Sequence, residues 1–179
     1  MGEYEEARNS LSAALALAAK PSTRAVALAL LAEITSQSTG DLVATKALLS
    51  EALPLARAGD EPRALGRVLY ALGDMNWRLG RNEEARPFLE ECLELANRTL
   101  DTTRILFAKN RLALIAVDQD EKERLLGEVL ELARKVGNRE RMMAALNHLG
   151  TVYDARKDYR AALDSIEQAL CLAREIGAG

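Results

Sequence analysis

A pattern of small and large apolar residues recurs along this chain with a period of about 40 residues. The segments 71–96 and 148–173 align on each other without a gap. A leucine of the pattern stands at Leu31, Leu72, Leu112 and Leu149, and a closing alanine at Ala18, Ala56, Ala96, Ala133 and Ala173. A repeat of this length is typical of arrays in which small helical or mixed units bury their apolar faces against their neighbours. The 179 residues have room for four such units and part of a fifth.

Each unit predicts two helices. Leu65, Leu69 and Leu72 recur at helical spacing, and Ala85 and Leu89 continue the pattern in the second half of the unit. Ala and Leu, which favour helices over strands, supply about a third of the chain, and aromatics only 4%. The expected fold class is all-α, which excludes a β-sandwich, a barrel and a Rossmann sheet. Helices are expected at 3–19, 22–37, 41–58, 61–79, 83–98, 101–117, 120–136, 138–155 and 159–176.

Glycines and short polar residues mark the predicted helix ends. The expected stops, where a left-handed residue ends a helix, are Gly40, Gly59, Gly80, Gly137 and Gly177. The expected N-caps are Ser22, Asp41, Asp60, Asn82, Asp101, Asp120, Asn138 and Asp158. Asp120 with Glu123 resembles a capping box. Pro54 predicts a kink in the third helix because it lacks the N–H that would bond to Ser50. Pro87, in the second turn of its helix, should distort that helix less.

The pattern resembles the tetratricopeptide repeat, in which a large–x–x–Leu–Gly–x–x–aromatic stretch precedes Ala, a larger apolar residue and a second small residue. One copy matches at Leu69, Leu72, Gly73, Ala85, Leu89 and Cys92, and another at Leu146, Leu149, Gly150, Tyr153, Ala162, Ile166 and Ala169. The period is nearer 40 than 34 residues, which is similar to the long repeats of kinesin light chains and of the helical regions of bacterial LuxR-type regulators. The resemblance implies an α-solenoid, a right-handed superhelix of stacked antiparallel helix pairs with about nine helices. HEAT-type solenoids are the alternative.

The repeats define the expected organisation of a single domain spanning 1–179. A half repeat at 1–20 precedes full repeats at 21–59, 60–98, 99–137 and 138–177. Because the chain opens with the second helix of a repeat, one side of Leu11, Ala14, Leu15 and Ala18 is expected to be uncovered. No polar capping helix follows Ile176, although terminal repeats need one. The chain is therefore expected to be a fragment of a longer protein, or to associate with itself through its terminal helices.

The composition excludes several classes of function. The net charge is −3 with the signs interspersed, so the basic surface of a nucleic-acid binder is missing. His148, Cys92 and Cys171 are the only His and Cys residues, too few for a structural zinc site. No phosphate loop or nucleophile motif is present. We therefore expect no enzyme, no cofactor and no metal. Cys92 takes the place of a small core residue and is expected to be a buried, inert thiol, and a Cys92–Cys171 disulfide is not expected.

The chain shows neither a signal peptide nor a membrane span. The apolar segment 11–19 follows three glutamates where a signal peptide has positive charge. A cytoplasmic location is expected. The resemblance implies a scaffold or adaptor that binds a protein or peptide in a concave groove, with no contact to nucleic acid or membrane. The alternative is a ligand-sensing or regulatory helical-repeat domain of a larger bacterial transcription regulator.

In this family the first helix of each pair lines the groove, which implies a set of candidate binding residues. They are Arg67, Tyr70, Asp74, Trp77, Asn110, Arg111, Asn147, His148, Thr151 and Asp154. The resemblance implies that Asn110 and Asn147 hydrogen-bond an extended peptide backbone, whereas Tyr70 departs from that pattern. Trp77 either binds the ligand or packs across neighbouring first helices. Val26, Ala29 and Leu30 should make the groove apolar towards the N-terminus.

Overall fold

The computed structural model describes the backbone of residues 2–177 and the side chains of residues 4–177. This part of the chain contains helices and no strands, which confirms the all-α prediction. The helix boundaries lie within two residues of the predicted ones. The helices are α1 (Gly2–Leu17), α2 (Pro21–Ser38), α3 (Leu42–Ala58), α4 (Pro62–Arg78), α5 (Asn82–Thr99), α6 (Thr102–Ile115), α7 (Gln119–Val136), α8 (Arg139–Ala155) and α9 (Tyr159–Gly177).

The chain divides into two compact units, unit 1 (Met1–Arg104) and unit 2 (Ile105–Gly179), with the division inside α6. In unit 1, α2 packs on α3 and α4 packs on α5. In unit 2, α8 packs on α9 and α7 packs on α8. Each of these pairs except α7–α8 lies within one of the predicted limits 21–59, 60–98 and 138–177, and the organisation as a single repeat domain stays a prediction.

Apolar side chains at helical spacing form a core in each unit. In unit 1, buried residues of α2, α3 and α4 form one cluster around Leu28, Leu49 and Val68. In unit 2, Leu106 of α6, Val129 and Ala133 of α7, and Ala145 of α8 form another. Burying such side chains contributes about 1.5–3 kcal/mol for each large one. The hydrophobic spacing read from the sequence is therefore the spacing of the core.

The glycines of the Leu-Gly motif allow two helices of a pair to approach closely. A Cβ at Gly73 in α4 would lie 2.6 Å from Cδ2 of Leu89 in α5. A Cβ at Gly150 in α8 would lie 3.0 Å from Cγ1 of Ile166 in α9. The other two copies carry Ala32 and Ala113, and both of these side chains are buried. A one-carbon side chain is thus accommodated where glycine is absent.

Half of the predicted N-caps are confirmed and half are wrong. Asp41, Asp101, Asn138 and Asp158 each accept a hydrogen bond from a backbone N–H of the first helical turn. The wrong ones are Ser22, Asp60, Asn82 and Asp120. At Ser22 and Asp60 the reason is proline: Pro21 and Pro62 begin α2 and α4, because proline suits the first helical position. Asn82 is already the first residue of α5, and Arg81 precedes it.

The predicted capping box at the start of α7 is wrong as well. Asp118 caps α7 and accepts from the N–H groups of Asp120 and Glu121, at 3.2 and 3.3 Å. Asp120 and Glu123 are instead both bound by Arg156, at the end of α8. Tyr153 also donates to Glu123, at 3.0 Å. The carboxylates expected to cap one helix thus join that helix to the next.

Most of the glycines expected to end helices have the predicted left-handed conformation. Gly40, Gly80 and Gly137 have positive φ near helix ends, whereas Gly59 ends α3 in an extended conformation. Pro54 and Pro87 lie inside α3 and α5, and both helices continue past them. The kink at Pro54 stays a prediction. Two residues with ordinary side chains, Leu100 and Lys157, also have positive φ, at 53° and 62°.

The terminal helices expose apolar side chains. In α1, Ala14 is exposed and Leu11 is half-buried, and Leu15 packs partly against the core of unit 1. In α9, Leu163, Ile166 and Leu170 are exposed. Among the described residues no helix is both long and apolar enough to cross a membrane. That the chain is a fragment, or self-associates, stays a prediction.

Candidate functional site

In unit 1, helix α4 separates an apolar face from a polar and aromatic one. Val68, Leu69 and Leu72 are buried. The four predicted binding residues follow the spacing i, i+3, i+7 and i+10, and all are half-buried: Arg67, Tyr70, Asp74 and Trp77. The structure therefore brings these four together on one partly accessible side of the helix.

An arginine that the sequence analysis did not select lies against this face. The guanidinium of Arg104 lies over the ring of Tyr70, with 5.3 Å between its Cζ atom and the ring centroid. Burial lowers the pKa of Arg67, and the positive charge of Arg104 lowers it further, while the carboxylates of Glu33 and Asp101 oppose the shift. Two guanidinium groups therefore lie near one tyrosine, with acidic groups close enough to compensate part of their charge.

Asp74 takes part in an ion pair on the same helix. Its Oδ2 accepts from Nε of Arg78 at 2.9 Å, the i, i+4 spacing that favours such pairs. Trp77, one turn beyond Asp74, is half-buried. The α4 face thus offers an arginine, a tyrosine and a tryptophan, which are the residue types that dominate binding hot spots.

In unit 2 the predicted residues differ in accessibility. Asn147, Thr151 and Asp154 of α8 are exposed, and Arg111 and His148 are half-buried. Asn110 of α6 is only 8% exposed, and its Oδ1 is buried without a hydrogen-bond partner in the described part of the chain. The two asparagines at equivalent repeat positions, Asn110 and Asn147, therefore have opposite surroundings.

His148 of unit 2 lies close to the charged side chain of Arg111. Burial lowers the pKa of His148, and the positive charge of Arg111 lowers it further. Both effects favour the neutral form of the ring. The backbone carbonyl of His148 accepts from the hydroxyl of Thr151 at 2.7 Å. His148 and Thr151 both line a cavity of about 220 Å³.

A second cation–π contact repeats the one found in unit 1. In unit 2, Arg141 of α8 lies over the ring of Phe107 of α6, with 4.1 Å from Cζ to the centroid. The backbone N–H of Arg141 donates to the cap Asn138, as that of Arg104 donates to the cap Asp101. An arginine three residues after the N-cap thus contacts an aromatic ring of the preceding first helix in both units. That cap-plus-three spacing is the signal in the sequence that could have identified Arg104 and Arg141.

The residues expected to make the groove apolar towards the N-terminus lie in α2. Ala29, expected to line the apolar part of the groove, is buried in the core of unit 1, so this expectation is wrong. Val26 and Leu30 are half-buried.

Both cysteines are free; Cys92 is buried and Cys171 is exposed. The expected burial of the Cys92 thiol is confirmed, and burial raises its pKa to about 12, which favours the unreactive protonated form. In the described part of the chain, no three His, Cys, Asp or Glu side chains form a group able to hold a metal.

Comparison with known proteins agrees with the helix pairs and the glycine contacts. Two models of the tetratricopeptide repeat match residues 23–98 and 142–176, together more than half of the chain. Among curated protein sequences, none matches.

Several solved structures share the fold. BtubC (BKLC) from P. vanneervenii is 23% identical, with a TM-score of 0.75, over 96% of this chain and 74% of that one. A STAND (signal transduction ATPase with numerous domains) protein with a tetratricopeptide repeat sensor, from Pyrococcus horikoshii, is 22% identical, with a TM-score of 0.73, over 84% of this chain and 23% of that one.

A putative kinesin light chain from Podosopora anserina, with nearly identical TPR-like repeats, is 19% identical, with a TM-score of 0.71, over 99% of this chain and 90% of that one. Identities this low show the fold alone. The family models, the paired helices and the Leu-Gly contacts lead to one conclusion: the chain belongs to the tetratricopeptide repeat family.

Proposed function

We propose that the protein is a non-enzymatic adaptor of the cytoplasm that binds a peptide or protein segment through the first helices of its repeats. Tetratricopeptide repeats generally mediate protein–protein interaction. Helix α4 would contribute the contacts of unit 1, and α6 and α8 those of unit 2. The proposed set keeps all ten residues predicted from the sequence.

The observation that carries the proposal is the half-buried face of α4. Arg67, Tyr70 and Trp77 are partly accessible there, while the opposite side of the helix is buried in the core. Amphipathic side chains of this kind bury large areas on binding while losing little side-chain entropy. A partner segment would therefore gain most of its affinity in unit 1 from Tyr70 and Trp77.

The contribution of unit 2 rests on Asn147 more than on Asn110. Asn147 is exposed, so its amide can pair with the N–H and C=O groups of an extended segment. The amide oxygen of Asn110 is closed to solvent and would reach a ligand only after the side chain rotates. An Asn147→Ala substitution should accordingly weaken binding more than Asn110→Ala.

The test uses peptides selected by the purified protein from a random display library. Tyr70→Ala, Trp77→Ala, Asn110→Ala and Asn147→Ala are compared one at a time, with circular dichroism as the control for folding. A hot spot should cost about 2 kcal/mol or more of binding free energy. The matched controls are Glu90→Ala and Arg134→Ala, which change exposed residues on the second helices α5 and α7. Full binding by all four variants, with loss in either control, would overturn the assignment.

A second candidate function is that of a sensor or regulatory domain in a larger bacterial transcription regulator. It is favoured by the likeness to the STAND protein, whose tetratricopeptide repeats are described as a sensor. This chain aligns with 23% of the length of that protein. Within unit 2, the cavity beside His148 would suit a small ligand better than a long segment. A helix-turn-helix or nucleotide-binding domain in the same natural polypeptide would favour the sensor over the adaptor.

A further inference from the structure

The cavity in unit 2 lies where the C-terminal ends of α6 and α8 meet the N-terminal end of α7. Its volume is about 220 Å³. The polar groups that line it are Gln119 and Lys122 of α7 and His148 and Thr151 of α8. Leu126 and Val152 supply apolar lining. The volume is below the 300–1,000 Å³ typical of drug-sized pockets, so the cavity fits a group about as large as one amino-acid side chain.

The electrostatics of this cavity favour a negative charge. Within the described part of the chain, none of its lining residues is Asp or Glu. Lys122 makes no ion pair with any described residue, whereas Lys109 and Lys135 are paired with Glu128 and Glu131. Arg111 adds a second positive charge close to the His148 ring.

Three carboxylates near the cavity in the sequence are engaged by other groups, whereas Asp154, beside the lining residue Ala155, is exposed to solvent. Asp118, one turn before Lys122, accepts from the backbone at the start of α7. Glu123 and Asp120 are held by Arg156. The cavity therefore combines an unpaired ammonium group, a neutral imidazole and an amide, all of which can donate hydrogen bonds.

We propose that this cavity binds a carboxylate group carried on a short apolar stem. The ammonium of Lys122 would pair with the carboxylate, an N–H of His148 and the amide of Gln119 would donate to it, and Leu126 and Val152 would contact the stem. Lys122 is the one formally charged side chain among the described residues that line the cavity.

The carboxylate could belong to a free short-chain acid or to an acidic side chain of a bound peptide. The site shares His148 and Thr151 with the proposed peptide surface, but it depends on Gln119 and Lys122 of α7, which that surface does not use. Carboxylate binding in the cavity can therefore be tested separately from peptide binding at Tyr70 and Trp77.

His148 provides the readout because it is the only histidine in the sequence, so its ring signals in an NMR spectrum are unambiguous. The probes are sodium butyrate, its neutral amide butyramide, and sodium chloride at matched ionic strength. Butyrate should shift the His148 signals saturably and raise the pKa of His148, because a bound carboxylate favours the imidazolium. Butyramide and chloride should do neither.

The variant Lys122→Gln should weaken butyrate binding at least tenfold. Lys135→Gln is the matched control on the same helix, and it should bind butyrate as the unchanged protein does. Circular dichroism checks that both variants remain folded. An N-acetylated glutamate amide tests the second source, since binding of this probe but not of butyrate would identify a peptide side chain as the ligand. The proposal is wrong if neither butyrate nor the N-acetylated glutamate amide causes a saturable shift, or if butyramide, or butyrate with folded Lys122→Gln, reproduces the shift.

Discussion

The pairs α4–α5 and α8–α9 are built from the same motif and pack differently. Both place a glycine of the first helix against a larger residue of the second, Gly73 against Leu89 and Gly150 against Ile166. Leu89 is 0% exposed, whereas Ile166 is 43% exposed. The same sequence signature thus marks a fully enclosed contact in unit 1 and a contact with one open side in unit 2.

The difference shows what a repeat motif determines. The motif sets which residues face each other within a pair, since Leu-Gly and the following Ala keep their spacing in both. It does not set how deeply those residues are buried, because that depends on what covers the second helix from outside the pair. Helix α9 accordingly exposes Ile166 and Leu170, while at the corresponding positions of α5 Leu89 is buried and Leu93 is half-buried.

The largest expected effect is the loss of the buried leucine. Leu89→Ala should lower the free energy of unfolding by about 2–5 kcal/mol, because it removes apolar contacts and leaves a cavity. Ile166→Ala, at the equivalent position, should cost about 1 kcal/mol, since much of that side chain is already in water. Urea unfolding of both variants measures the difference. Equal costs would show that the two contacts are packed alike.

A smaller effect is expected when the glycines are replaced. Gly73→Ala should destabilise by about 1–2 kcal/mol, since overpacking costs about 1–3 kcal/mol and the better helix propensity of alanine returns up to about 1 kcal/mol. Gly150→Ala should be close to neutral, because the half-exposed Ile166 can move away from the new Cβ. Thermal unfolding is a sufficient measurement. A Gly150→Ala variant that is less stable than Gly73→Ala would contradict this account.

Much of this architecture could be read from the sequence, because helix periodicity and the Leu-Gly spacing are local signals. The helix boundaries and the pairing of Gly73 with Leu89 follow from them. The choice of Asp118 over Asp120 as the cap of α7 could not, since both are suitable residues two positions apart and Arg156 of another helix decides between them. The position of Lys122 in the cavity depends on tertiary contacts that neither composition nor period encodes, whereas Arg104 could have been identified only from its spacing to the cap Asp101.

Cys92, whose thiol is buried, occupies the position of Ala169 in the other pair. The variant Cys92→Ala therefore tests how much the thiol contributes to stability. Its Sγ donates to the carbonyl of Gly66 at 3.2 Å, and its loss should cost about 1 kcal/mol at pH 7. The folded pKa of about 12 exceeds the ordinary value of 9.0. The stabilisation of the protonated thiol is therefore fully present below pH 9 and decreases as the pH rises towards 12.

The unchanged protein should thus lose stability above pH 9 more steeply than Cys92→Ala does, by up to about 1.4 kcal/mol per pH unit. Parallel urea titrations between neutral and alkaline pH measure the two slopes. A thiol reagent at pH 8 should also modify the exposed Cys171 and leave Cys92 unmodified until the protein unfolds. Identical slopes, or modification of Cys92 in the folded protein, would show that this thiol is not enclosed.

The smallest expected effect concerns the turn inside each pair, where Gly80 and Lys157 occupy the same repeat position. Both have positive φ, 72° at Gly80 and 62° at Lys157. A residue with a side chain costs about 1–2 kcal/mol more than glycine in this left-handed region. Part of this advantage of glycine is offset because glycine has more conformational freedom in the unfolded chain. Lys157→Gly should therefore stabilise the protein by about 0.5–1 kcal/mol, and Gly80→Lys should destabilise it by a similar amount. Because Lys157 is exposed, its replacement removes little packing, and a loss of stability in Lys157→Gly would mean that its side chain has a role beyond the turn.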